Sequence, residues 1–466
     1  MGYSLYGVII AIFIIAPLPL SIIALSEEAS VYPEIYGEDI IRVGVTFSLS
    51  GKYTLEGLQA LCGVKAAVDW INANGGIEFQ GRKHRIQIVY FDDESDPDKA
   101  REYYGKLYGD LGIRLLLAPY SEELISTMLE AVNSGDALIA VYSPSSKSII
   151  MEGAMMFQVS SPPELRFNTL IDLIDEKKIN EPIVIFYKDG KYGSETASSI
   201  KTLASKAGIS VAGEYPYTNP SDVNNVVESL ESPVSVAVVV GESYEDVKSV
   251  VTNLYNMGLS ASLVVLDSPA SISNIYVDLG SGIAENMLVS VGWERGVGYN
   301  KELAVQYKTD WYGPEEDEWL NYYRSHCKTM PASTIAASAS AALLLVANGI
   351  YWAGSDEPSR VWGRIGGLFT MTFYGPFKID PQSGVQIAHE NILVQWRNGE
   401  KNIVYPASQA KAELTYPASN WLRKGTTEEM ATTIEATGTP ADPTIIAIII
   451  IIIIGVVALT AIRKRA

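Results

Sequence analysis

The sequence predicts an α/β protein of two exported lobes carried on a C-terminal transmembrane helix. Three observations lead there. Strand-like and helix-like segments alternate from Arg42 onward, the alternation runs through two successive sets, and the chain closes on an unbroken apolar run. The 466 residues carry a formal net charge of −19. Such a balance offers no Lys and Arg stripe to hold phosphates, so a nucleic-acid partner is excluded.

The apolar run spans Thr444 to Ile462, about 19 residues, and has no polar face. At ~1.5 Å rise per residue it nearly matches the bilayer core. Arg463, Lys464 and Arg465 follow it, whereas Glu428, Glu429, Glu435 and Asp442 precede it. The basic side stays cytoplasmic, so the body of the chain lies outside the cell on a single-pass anchor. Gly7 to Leu25 is a second apolar stretch, ending in Ala24-Leu25-Ser26 before Glu27 and Glu28. It reads as a signal peptide (residues 1–26) or an uncleaved N-terminal anchor, the basic flank being absent before Arg42.

Each element has a local reason. IRVGVTFSL is a short apolar strand. EGLQALCGVKAAVDWINANGG sets Leu58, Leu61, Val64, Val68 and Ile71 at helical spacing and stops at a glycine pair. HRIQIVYFDD is a strand, and DPDKAREYYGKLYGD opens a helix with Asp96 as cap and Pro97 in the first turn. IRLLLAPY, a helix from Glu122 to Asn133, and ALIAVYS complete the first set. PIVIFYKD, ISVAGEY, SVAVVVG and ASLVVLDS are the strands of the second set, with helices between. Short continuous apolar runs fit parallel strands covered on both faces. MPASTIAASASAALLLVANGIYWAG is a long helix, and YGPFKIDPQSGVQIAHENILVQWRNGE an antiparallel hairpin turning at Asp380 to Gly384. Order fades beyond Pro406, and residues 407–443 read as a flexible stalk.

Catalytic signatures are missing. His84, His326 and His389 form no close set, and no G-x-S-x-G elbow occurs. DDESDPD has Pro97 and Tyr103 where a calcium loop needs Gly and Glu, so no metal is expected. The Asp92/Asp93 and Glu122/Glu123 pairs lack the geometry of a hydrolase, because neighbours on a strand face opposite ways. Cys62 and Cys327 allow one bridge, and Cys62, on an apolar helix face, equally reads as a buried free thiol. What remains is a series of loops at strand ends, where open α/β sheets bind small ligands: SLSGKY with Ser50, APYSEE with Ser121, YSPSSKS with Ser145, Ser146 and Ser148, YKDGKYGSE with Tyr192, GESYED with Ser243 and Tyr244, and LDSPAS with Asp267. Ser121 precedes a helix, where a hydroxyl and backbone N–H groups can hold a carboxylate.

These loops, with INANGGI and DDESDPDKA, resemble the branched-chain amino acid (Leu/Ile/Val) binding proteins, the type I periplasmic binding proteins of ABC importers. The resemblance runs from about Arg42 to Tyr405. It implies two Rossmann-like lobes joined by a three-strand hinge, one from residues 40–160 and 289–373, the other from 161–288 and 374–405. It implies no cofactor, an amino-acid-like ligand closed between the lobes, and permease and ATPase subunits as partners. Ser121 and the Ser145, Ser146, Lys147, Ser148 segment would hold the ligand carboxylate. Tyr192 would cover the ligand, Asp267 would meet its ammonium, and Ser243 or Tyr244 would add a second-lobe contact. Where members with apolar ligands carry an aromatic, this chain has Leu55-Glu56. A cleft-facing Glu56 would favour a polar or cationic side chain; an outward one would mean little. Urea and short amides, or a sensor ectodomain of the same fold, are the alternatives.

Overall fold

The computed structural model describes residues 29–179, 182–230 and 234–422. The expected leader (1–26), the later part of the stalk and the apolar run at 444–462 lie outside the described residues.

The first lobe is built on β1 (Ser30–Tyr32), β2 (Ile40–Phe47), β3 (Ile77–Phe79), β4 (Arg82–Asp92), β5 (Leu115–Leu117), β6 (Leu138–Val141) and β7 (Met156–Gln158). The order is β1-β4-β2-β5-β6-β7, with β3 on the side of β4. The central pairs are parallel, and β1 and β3 run antiparallel to β4. Helices α1 (Thr54–Ala73), α2 (Pro97–Gly105), α3 (Glu122–Ala131) and α4 (Lys147–Met151) follow strand ends. Asp96 caps α2 through the N–H groups of Asp98 and Lys99, as its position before Pro97 predicts. The buried face of α1 includes Val64, Val68 and Ile71 but also Glu56 and Gln59, while Leu58 and Leu61 are only half-buried.

The second lobe begins with α5 (Pro163–Glu176) and carries β8 (Ile183–Lys188), β9 (Val211–Tyr217), β10 (Val234–Val240), β11 (Ala261–Leu266) and β12 (Leu288–Val291), all parallel. Every residue of β10 and β11 is buried, because α6 (Lys191–Lys206), α7 (Val223–Ser229) and α8 (Tyr244–Asn256) cover the sheet. The chain then returns to the first lobe for the small sheet β13 (Asp310–Trp311), β14 (Thr370–Thr372), β15 (Gly375–Phe377), and crosses back to add β16 (Ile392–Arg397) antiparallel to β12 and β17 (Glu400–Tyr405) antiparallel to β16.

Three details differ from the sequence reading. The second lobe keeps the chain through Val291, and Gly384 accepts from the N–H of Gln158 at 3.0 Å, so the last crossover falls beyond Gln386 rather than at residue 373. The turn at Asp380 to Gly384 forms, yet it closes only an Ile379–Gln386 bridge. The long hairpin is β16–β17, turning at Asn398 and Gly399 with φ of 53° and 83°, the left-handed pair a two-residue turn needs. The stalk does not begin at residue 407. Thr415 pairs with Gln395 in both directions, Ala418 donates to Ser262 at 2.8 Å, and Trp421 is buried, so residues through 422 pack on the second lobe.

Among the described residues one helix, Thr334–Ala353, is long and apolar enough to cross a membrane. It is instead core, buried from Thr334 to Ile350 and packed along α1. Cys62 on α1 is joined to Cys327 at the end of helix Glu316–His326, which settles the open question in favour of a bridge. The carboxylates of DDESDPD serve the fold: Asp93 accepts from Thr46, Ser48 and Ser95, and Asp92 accepts from Leu49, Ser50 and Glu94.

Candidate functional site

The carboxyl ends of the two sheets face each other across a closed cleft. Glu56 Oε1 accepts from the N–H of Tyr244 at 2.6 Å, a contact from the first lobe to the second. Lys52 pairs with Asp246 at 3.0 Å, and Lys191 with Glu152 at 2.7 Å. Glu195 on α6 accepts from the N–H groups of Lys147 and Ser148 at the start of α4. Within this seam lies a cavity of about 10 Å³, to which the first lobe contributes Tyr120, Ser121 and Glu122 and the second Tyr192 and Glu242.

Of the residues singled out in the sequence, Ser121 and Tyr192 line this cavity. Ser121 Oγ accepts from the N–H of Leu124 at 3.3 Å and caps α3. Ser146 likewise caps α4, and its own N–H donates to Glu122. Its hydroxyl lies 3.0 Å from that of Ser148. Ser145 Oγ accepts from Gln158 at 2.9 Å. Ser243 caps α8 and donates to Asp246 at 2.8 Å. Tyr244 offers its backbone to Glu56 but sends its hydroxyl to Asp278 at 2.6 Å, away from the cavity. Ser50 bonds Asp92 at the rim. The serine set is therefore mostly a set of helix caps and supports around the cleft.

Glu56 is wholly buried and faces the other lobe. Its second carboxylate oxygen has no partner, and burial pushes the carboxyl up to about 7. Asp267 is also wholly buried. It accepts from the hydroxyl of Tyr192 and from the N–H of Ser268, and lies 3.9 Å from Arg166 Nη1. Burial still raises its carboxyl above the usual range. Arg166 escapes a purely sequence-based reading. It sits on the apolar face of α5, wholly buried, and donates to Tyr192 at 2.7 Å, to the carbonyl of Ser161 at 3.0 Å and to that of Ser145 at 3.4 Å. The one signal was an arginine spaced with Leu170 and Leu173 on a helix face that should be apolar.

Three further residues join the site in three dimensions: Tyr120 and Glu242, which the sequence did not single out, and Glu122, which it weighed only as half of a hydrolase pair. Tyr120 is 3% exposed and its hydroxyl has no partner. Glu122 is 7% exposed, and its Oε2 is unpartnered while Oε1 takes the Ser146 N–H. Burial raises its carboxyl as well. Glu242 is pushed up to about 7 by burial and then by the charge of Glu122 across the cleft. The cavity wall is thus acidic, with acids supplied by both lobes.

A family model described as periplasmic binding protein matches residues 40–401. Among curated relatives, Leu/Ile/Val-binding protein homolog 3 of Brucella melitensis is 20% identical over 322 residues, covering 68% of this chain and 81% of that protein. Among solved structures, the branched-chain amino acid transporter substrate binding protein LivJ from Streptococcus pneumoniae in complex with isoleucine superposes with a TM-score of 0.64 at 17% identity, over 81% of this chain and 100% of that one. A solute binding protein of an ABC transporter from R. palustris in complex with 4-hydroxybenzoate gives 0.65 at 15% identity, over 81% of this chain and 98% of that one. These last two likenesses establish the fold.

Proposed function

Because the chain belongs to the periplasmic binding protein family, we propose that it is the solute-binding component of an ABC importer, held outside the cell by its C-terminal apolar run, and that it captures a small solute bearing an amino group between its lobes. The observation that carries this reading is the pair of facing walls, Tyr120, Ser121 and Glu122 from one lobe and Tyr192 and Glu242 from the other, which closure brings together around a space with room for about one water, so that a solute fits only with the lobes moved apart. Hinge closure about three crossovers is the means by which such a site admits and encloses a solute. In this reading the acids weigh against the ligand types present in two structural neighbours, isoleucine and 4-hydroxybenzoate. A leucine or isoleucine side chain would leave buried carboxylates without partners, and a benzoate would bring another negative charge into the cleft.

Anchoring keeps the binder at high effective concentration beside a membrane permease. The test is a thermal-shift screen of the full-length chain in detergent against amino acids, short amides, urea, aromatic acids and amines. A ligand at 100 times its dissociation constant adds about 2.7 kcal/mol of stability. A shift with an amino compound supports capture; silence across the panel rejects it. Carbonate extraction of membranes tests the anchor: the full chain should stay with the bilayer, and a chain ending at Leu422 should be released.

A further inference from the structure

We infer that the cleft selects an organic cation that carries no carboxylate, an amine or guanidine rather than an α-amino acid. The inference deepens the capture reading above and rests on it.

The Glu122 Oε2 and Tyr120 hydroxyl groups are buried, unpartnered and in the cavity wall. Glu242 stands in the opposite wall. Buried polar atoms find partners as a rule, and each orphan marks a place for one. An ammonium or guanidinium brings several donors and one positive charge, which suits acceptors facing each other from two lobes. Two other acids of the cleft have cations: Asp246 has Lys52, with Lys188 at 3.9 Å, and Asp267 has Arg166; Glu56 and Glu195 are held by backbone N–H groups of the facing lobe. Glu122 and Glu242 have no ion pair among the described residues.

The groups that could hold a carboxylate are already taken. The N–H groups that open α4 are already bonded to the protein's own acids, Ser146 to Glu122 and Lys147 and Ser148 to Glu195. The first turn of α3 carries Glu122 and Glu123, so its dipole has its charge complement in place. The Arg166 guanidinium is committed to Tyr192, Ser145 and Ser161. A ligand carboxylate entering here would displace these bonds and add negative charge beside Glu122, Glu242 and Glu195.

The experiment is isothermal titration of the full-length chain in detergent with 1,4-diaminobutane, agmatine, arginine, leucine and benzoate. Agmatine and arginine differ only by the carboxylate, so that pair isolates the claim. Agmatine or diaminobutane should bind at least about tenfold tighter than arginine, and leucine and benzoate should give no heat. Glu242→Gln, on a half-buried residue that folding tolerates, should weaken the amine by about tenfold or more, as should Glu122→Gln. Arginine or leucine binding more tightly than the amines overturns this inference and leaves capture intact. Amine affinity unchanged in both variants overturns it too. No binding by any of the five removes the inference together with the reading beneath it.

Discussion

Replacing Glu56 by Gln should convert a pH-dependent penalty into a constant one. In the folded chain this carboxyl is wholly buried and titrates at about 7 rather than its ordinary 4.5. The causes on its surroundings are unequal. Burial and the Asp246 charge disfavour ionisation, while the Tyr244 N–H and Lys52 favour it. Below pH 4.5 both folded and unfolded chains hold the proton, and Glu56 costs nothing. Between 4.5 and 7 the unfolded chain ionises first, so stability falls as pH rises. Above 7 the full cost remains, about 3 kcal/mol from ~1.4 kcal/mol per decade. Glutamine keeps the acceptor for Tyr244 but buries an amide with unmatched donors, an offset of about 1–3 kcal/mol that does not change with pH. The slope is therefore the readout. Relative to the unsubstituted chain, the Gln variant should gain about 3 kcal/mol between pH 4 and pH 8. With ~2.1 cal/mol/K per residue over roughly 390 residues, that is about 4 °C in Tm. Melting curves of both proteins at pH 4, 6 and 8 suffice. A difference in Tm that stays flat across that range would refute the buried, cross-lobe placement of Glu56.

Four other outcomes are expected. Burial holds His389 down to about 4, so stability should fall as pH drops from 6.5 to 4, where the unfolded chain takes the proton first; His389→Gln should flatten that limb in the same melts. Arg166→Met should cost about 3–5 kcal/mol by leaving the Asp267 carboxyl without its cation, and adding Asp267→Asn should restore much of the lost Tm. A Cβ at Gly63 would sit 2.1 Å from the carbonyl oxygen of Ala336, so Gly63→Ala should prise α1 from helix Thr334–Ala353 and destabilise by about 3 kcal/mol in denaturant titration. Reducing the Cys62–Cys327 bridge, which closes a 265-residue separation, should cost about 3–5 kcal/mol in the same titration.

Much of the architecture was written locally. The strands that became β2, β8, β10 and β11 are apolar without alternation because helices cover both faces, and that pattern needs no tertiary knowledge to read. Asp96 and Ser121 announced helix starts by residue type and position. The Asn-Gly pair at 398 and 399 carried the hairpin signal, although the nearer Asp380 to Gly384 turn drew the reading away from it. Sequence patterning failed where one residue answers to a distant one. Gln395 fastens Thr415 by two hydrogen bonds, and no periodicity in residues 407–422 reports that. Cys62 and Cys327 meet because α1 packs on helix Glu316–His326, a tertiary fact. The cleft is the extreme case. Glu122 reads as an ordinary first-turn acid and Glu242 as a polar loop residue until closure removes their water.

Closure and ligand charge are then one problem. The bonds across the seam join carboxylates to backbone N–H groups and ammonium ions: Glu56 to Tyr244, Glu195 to Lys147 and Ser148, Asp246 to Lys52. Each favours the closed form. Against them stand Glu122 and Glu242, which the same movement brings to opposite walls of one poorly solvated cavity. A ligand shifts the equilibrium between open and closed lobes only by the difference in its affinity for the two. An apolar solute does nothing for the opposed acids, and an anion adds to their repulsion. A cation interacts with one acid in the open form and with both in the closed form, so its binding energy is greatest where the lobes meet. The residues that set ligand charge are in this way the residues that couple capture to closure.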